Sequence, residues 1–167
     1  MRITALLSVL IFISCGQKRD GVEYLLSWTN TGDIDTIYAE ILDRQISDTL
    51  DLIKYKFDPR QDSWTAYEEV FNLPKRLDSV SMNDVTLVDQ KTIEFENEKY
   101  VVSKYYYDMV DGADEESLYF YTSEFGIILF YWGTYRNSQR LIHTGDIQKD
   151  KIVYYLTERI ENDCSFN

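Results

Sequence analysis

Ile127-Ile128-Leu129-Phe130-Tyr131-Trp132 is apolar throughout and has no polar face. A strand that is apolar on both sides is covered on both sides. These six residues therefore predict a central strand, with helices or a second layer of sheet over each face. Immediately before them, Ser123-Glu124-Phe125-Gly126 reads as a hairpin turn back to Leu118–Thr122. Immediately after, Asn137-Ser138 reads as a turn between Tyr131–Tyr135 and Gln139–His143. Further upstream, Asn97-Glu98 sits between Ile93-Glu94-Phe95 and Tyr100-Val101-Val102 and reads as another turn. The long strand from Lys99 to Asp108 carries Tyr105-Tyr106-Tyr107. Together these stretches predict an antiparallel β-meander over about residues 85–144.

Helices are expected on either side of it. From Asp33 to Ile46 the apolar residues Ile34, Ile37, Tyr38, Ile41 and Leu42 recur at three and four, one helical stripe behind an Asp33 cap. Thr36-Ile37-Tyr38 in the same stretch also suits a strand. From Ser63, the residues Trp64, Tyr67, Val70 and Phe71 repeat the helical spacing, and Pro74 closes the run. Between these two, Tyr55 and Phe57 alternate with Lys54 and Lys56, which suggests a strand ending at Asp58-Pro59. After the meander, Ile152, Val153, Leu156 and Ile160 predict a C-terminal helix over 150–162. The expected class is α+β, an antiparallel β-meander with flanking helices.

The N-terminus has a separate logic. Arg2 precedes an apolar run, Ile3 to Ile13, too short to span a bilayer, which takes about 20 residues. It has the form of a secretory signal. Its end, Phe12-Ile13-Ser14-Cys15, resembles the lipobox of bacterial lipoproteins, with Phe12 where that box usually has Leu. The resemblance implies cleavage before Cys15, lipidation of Cys15 and anchorage to a membrane. Several buried acyl chains, at about 0.8 kcal/mol per CH₂, would make that anchorage firm. Gly16 follows, where Asp would favour inner-membrane retention in the Gram-negative family, so the resemblance points to the outer membrane. The division expected is a signal peptide at 1–14, a lipidated tether and lead-in segment at 15–31, part of it docked, and one globular domain at 32–167.

The chain carries 17 basic and 29 acidic residues, net −12. Loss of Arg2 with the leader would make the mature chain more acidic by one. That charge argues against nucleic acid as a partner, whose phosphates would be repelled. It fits a soluble body standing off a membrane, or a basic protein partner. With Cys15 lipidated, Cys164 is left alone and no internal disulfide is available. The expected role of Cys164 is a small packed residue.

No catalytic signature stands out. His143 is the only histidine, no Gly-x-Ser-x-Gly elbow accompanies it, and zinc would lack ligands. No cofactor or metal is expected. The loop Asp108–Glu116, with Asp111 and Asp114, clusters oxygen ligands without the spacing of a calcium loop. The aromatic load is more informative, with 14 Tyr, 8 Phe and 3 Trp. Tyr105 and Tyr107 share one strand face, and Tyr119 and Tyr121 join the same sheet. These four, with Asp111 and Asp114, are the candidate binding residues for a lipidic, glycan or protein ligand. Ordinary sheet packing is the competing reading. The resulting expectation is a lipid-anchored, non-catalytic binding module of the cell envelope. Alternatives are an acidic inhibitor or immunity-type lipoprotein and a carrier of a lipidic ligand, with an envelope hydrolase the weakest.

Overall fold

The computed structural model describes residues 21–28, 33–59, 65–77, 85–107, 116–132 and 137–166. Cys15, Asp111, Asp114 and the 133–136 connection lie outside them. Nine strands and one helix follow in chain order: β1 Gly21–Trp28, β2 Asp33–Ile46, β3 Leu50–Pro59, β4 Tyr67–Pro74, β5 Val85–Phe95, β6 Glu98–Tyr107, β7 Ser117–Thr122, β8 Gly126–Trp132, β9 Asn137–His143 and α1 Ile147–Glu161. The strands form a single sheet in the order β4-β3-β2-β1-β9-β8-β7-β6-β5. All neighbours are antiparallel.

The sheet curls into a nearly closed barrel. Its order explains why closure stops short. Eight successive antiparallel pairings leave β4 and β5, the two edges, running in the same direction. The seam between them therefore cannot be zipped by another antiparallel ladder. At this seam the Tyr105 hydroxyl donates to the Pro74 carbonyl at 3.0 Å, tying β6 to the end of β4.

The meander expected over 85–144 is β5 to β9. Its first turn falls on Glu96-Asn97, with φ of 51° and 69°, one residue before the expected pair. Two consecutive positive φ values match the twist of a tight hairpin. Asn137 and Ser138 are the first residues of β9 rather than a turn. The C-terminal helix begins at Ile147, because Asp146 caps it by accepting from the N–H groups of Gln148 and Lys149.

Two expected helices are strands. In β2 the residues Ile37, Ala39 and Ile41 alternate inward, while Ile34 and Leu42 are exposed. A slip against β3 between Ile41 and Asp43 then brings Arg44 into register with Ile53 on the inner face. The helical spacing comes from Ile34, Tyr38 and Leu42, which lie on the opposite side of the strand from Ile37 and Ile41. In β4 the inward side is Tyr67, Glu69, Phe71 and Leu73, and Pro74 ends the strand as it would have ended a helix. β-Branched and aromatic side chains packed on a curved sheet override the local helical spacing. Part of the lead-in segment docks on the body, as expected: β1 sits between β2 and β9 as a strand of the sheet.

β8 is covered on both faces, as its composition demands. Inside lies the opposite wall of the barrel, and outside lies α1. Val153, Leu156 and Ile160 of α1 are fully buried, together with Phe120, Leu129 and Val102 from the outer face of β6–β8. Phe166, beyond the helix, packs edge-on against Phe120 at 5.5 Å. Arg140 on β9 pairs with Glu158 at 3.0 Å and also with Glu161, pinning the helix to the wall. The expectation of a single flanking layer at the C-terminus is met; the flanking layers at 33–46 and 63–73 are barrel wall.

Candidate functional site

Inside the barrel, hydroxyl groups reach from one wall to the other. The β7–β8 ladder slips by a residue, since Phe120 faces Leu129 but Tyr121 faces Ile127. Two tyrosines meet the backbone of Ile127. The Tyr24 hydroxyl donates to its carbonyl at 2.8 Å, and its N–H donates to the Tyr55 hydroxyl at 3.1 Å. Gly126, at φ +83°, permits this approach: a Cβ there would stand 2.3 Å from the Tyr55 hydroxyl oxygen. Burial holds both phenols well above their ordinary pKa, so they remain neutral donors and acceptors. Around them, Tyr55 stacks on Phe57 at 5.5 Å and Phe57 on Tyr67 at 5.1 Å. Tyr119 stacks on Phe130 at 4.6 Å and meets Phe71 edge-on at 5.2 Å.

The candidate tyrosines belong to this interior. Tyr105, Tyr119 and Tyr121 are at most 5 % exposed. Tyr107 is half-buried on the same inner face. The structure thus brings the four onto one surface, but that surface is packed against the opposite wall.

At the end of the barrel where β1 begins, the interior turns polar. Asp51 is 1 % exposed. It accepts from the Tyr121 hydroxyl at 2.7 Å and lies 2.8 Å from Lys75 Nζ. Arg44 comes in beside it: Nη2 lies within 3.5 Å of the Tyr121 hydroxyl and donates to the Ser123 carbonyl. Arg44 Nε is buried with no hydrogen-bond partner among the described residues.

Arg44 also lines an open pocket of about 450 Å³ between the starts of β1 and α1 and the β7–β8 turn. Val22, Ile41 and Phe125 give it apolar surface, and Arg44, Lys149, Glu124 and Asp146 its charge. The Asp146 carboxylate is occupied as the helix cap. A second pocket of about 480 Å³ lies between β5 and the chain end, beside the exposed thiol of Cys164. Phe166, not Cys164, is the buried anchor of that terminus.

Towards the other end, Glu69 points inward from β4 between Tyr67 and Phe71. Burial raises its carboxyl from the ordinary 4.5 to about 7. Tyr67 is pushed up to about 12, by burial first and the Glu69 charge second. Sequence reading missed Arg44 and Glu69. The helical spacing read around Glu69 hid it, whereas a period of two along Tyr67, Glu69, Phe71 and Leu73 turns it inward. Arg44 carries no local signal, because its inward position follows from the slip of β2 against β3.

His143 is exposed at the end of β9, with Nδ1 2.7 Å from Asp150 Oδ2. Asp150 also accepts from the N–H and hydroxyl of Thr144. This arrangement fixes the turn into α1; no nucleophile stands at its open side among the described residues. No protein family and no curated protein matches this chain.

Proposed function

We propose that the protein is a lipid-anchored, non-catalytic binding module of the bacterial cell envelope, held at the outer membrane through Cys15. The observation that carries this reading is where the barrel wall begins. Only Gly16 to Asp20 separate Cys15 from the first residue of β1. Even fully extended, six steps of chain reach only about 20 Å. A body of this kind would stand close to its bilayer, with the β1 end and its pocket nearest the lipid.

A binding role is supported by how the interior groups are used. Tyr24 and Tyr55 bond the backbone of Ile127, Tyr105 that of Pro74, and Asp51 receives Tyr121 and pairs with Lys75, which is the work of a scaffold. A carrier would need an empty interior, and the stacked rings between the walls count against that alternative. Net charge leaves a basic protein as one class of partner.

Intact-mass measurement of the protein from its native envelope tests the anchor. The expected product begins at Cys15 and carries acyl chains, and Cys15→Ser releases the protein from the membrane fraction. A soluble, unmodified wild-type product would overturn the reading.

A further inference from the structure

Arg44 is a partly buried cation for which no ion pair is formed among the described residues. A guanidinium has five N–H groups. Among the described residues, those on Nη2 reach Ser123 and Tyr121, Nε is buried with no partner, and no bond engages Nη1. No carboxylate of the described residues forms an ion pair with Arg44, whose neighbour Asp51 is paired with Lys75 and accepts from Tyr121. Desolvating a cation without a counter-ion is costly, and this one lines a pocket of about 450 Å³. Lys149, exposed and with no ion pair among the described residues, lines the same pocket. The volume lies in the range typical of small-molecule sites, about 300–1,000 Å³.

We infer that this pocket is a binding site for a small organic monocarboxylate with an apolar body. The carboxylate would take the free Nη1 of Arg44, with Lys149 adding charge, and the apolar body would lie on Val22, Ile41 and Phe125. Charge decides between anions. Glu124 and the capping carboxylate of Asp146 also line the pocket, so a dianion such as phosphate meets more repulsion than a single carboxylate does. The apolar lining likewise favours an amphipathic ligand over a bare ion. This inference deepens the binding reading and is independent of the lipid anchor.

Titration of octanoate into the full chain carrying Cys15→Ser, followed by calorimetry, tests it without the anchor. Saturable binding at millimolar concentration or below is expected, with inorganic phosphate and octylamine at least tenfold weaker. Arg44→Met should weaken octanoate at least tenfold, and Arg44→Lys should recover part of that. Arg44 also ties the β7–β8 turn, so Lys149→Glu, on the exposed face of α1, provides a second variant, expected to weaken binding several-fold. Absence of saturable octanoate binding would overturn the site, as would octylamine binding as tightly. Unchanged affinity in folded Arg44→Met would also overturn it, or in Lys149→Glu should Arg44→Met not fold. Octanoate binding alongside a wild-type product that lacks acyl chains would remove the anchor and leave the pocket standing.

Discussion

The two halves of the barrel wall are held in place differently. The wall from β5 to β9 is packed on both faces, against the interior and against α1 with its trailing Phe166. Among the described residues, no helix lies over the wall from β1 to β4. Its outer face carries Thr36, Glu40, Lys54, Lys56 and Glu68, with Ile34 68 % and Leu42 40 % exposed among them. That bare half is fastened from inside. Tyr24 and Tyr55 reach Ile127, Asp51 receives Tyr121, Arg44 meets the turn at Ser123, and the Pro74 carbonyl receives Tyr105. Apolar area stabilises one half, and directed hydrogen bonds across the core fix the other to it. The contrast teaches that two halves of one curled sheet can be held by different forces, one by apolar packing against a helix and the other by directed ties across the interior.

Substitutions in each half should therefore fail by different mechanisms. Leu156→Ala, beneath the helix, should cost the most, about 3–4 kcal/mol from lost burial and the cavity left behind. Urea unfolding checks this, with a lowered midpoint and unchanged slope. Asp51→Ala should come next, at about 3 kcal/mol. It leaves the buried Tyr121 hydroxyl without its acceptor and Lys75 without its counter-ion. A loss below about 1 kcal/mol would mean the cross-barrel ties are incidental. Tyr24→Phe should cost about 1–2 kcal/mol, because the Ile127 carbonyl stays buried without its donor while the ring is retained.

Glu69 supplies a pH-dependent version of the same contrast. Its pKa is about 7 in the fold against an ordinary 4.5. Between these values the folded chain holds a proton that the unfolded chain has lost, so stability falls as pH rises through that window. Below about 4.5 both states are protonated and the penalty vanishes; above about 7 it is fully present. Glu69→Gln should thus raise stability by about 1–2 kcal/mol at pH 8 and change nothing at pH 4. Thermal unfolding at the two pH values would show it, and an equal effect at both would refute the assignment. Leu42→Thr on the bare outer face should change stability by less than about 0.5 kcal/mol. A larger loss there would show that this wall is covered after all.

Most of the covered half was legible in sequence. An apolar run with no polar face, turn residues at short intervals and a helical stripe at the end are local signals, and they located β5 to β9 and α1. The bare half was legible only at β3, where Tyr55 and Phe57 alternating with Lys54 and Lys56 marked a strand that ends at Asp58-Pro59. Ile37 and Ile41 face inward by plain alternation, but Arg44 does so only because β2 slips against β3, and a slip is a property of a pair of strands. Tyr67 and Glu69 face inward only because β4 curls round to meet Tyr119.

The candidate site divides in the same way. Tyr105, Tyr107, Tyr119 and Tyr121 were correctly placed on one face of a sheet by the period of two. Whether that face was open or packed depended on β1 to β4 lying opposite it. Arg44 carries no motif, and its place beside the already paired Asp51 and against the β7–β8 turn is a matter of distances between β2, β3 and that turn.

By itself, then, the sequence determined the strand-rich C-terminal region, the helix that ends it and the acidic charge, because patterning and composition act locally. Tertiary structure alone decided that β1 joins the first wall to the last and that β4 and β5 meet as like-directed edges. It also decided that a lone arginine lines a pocket. The physical reason is that pairing partner and register set which face of a strand is inside, and both are fixed by residues far away in the chain.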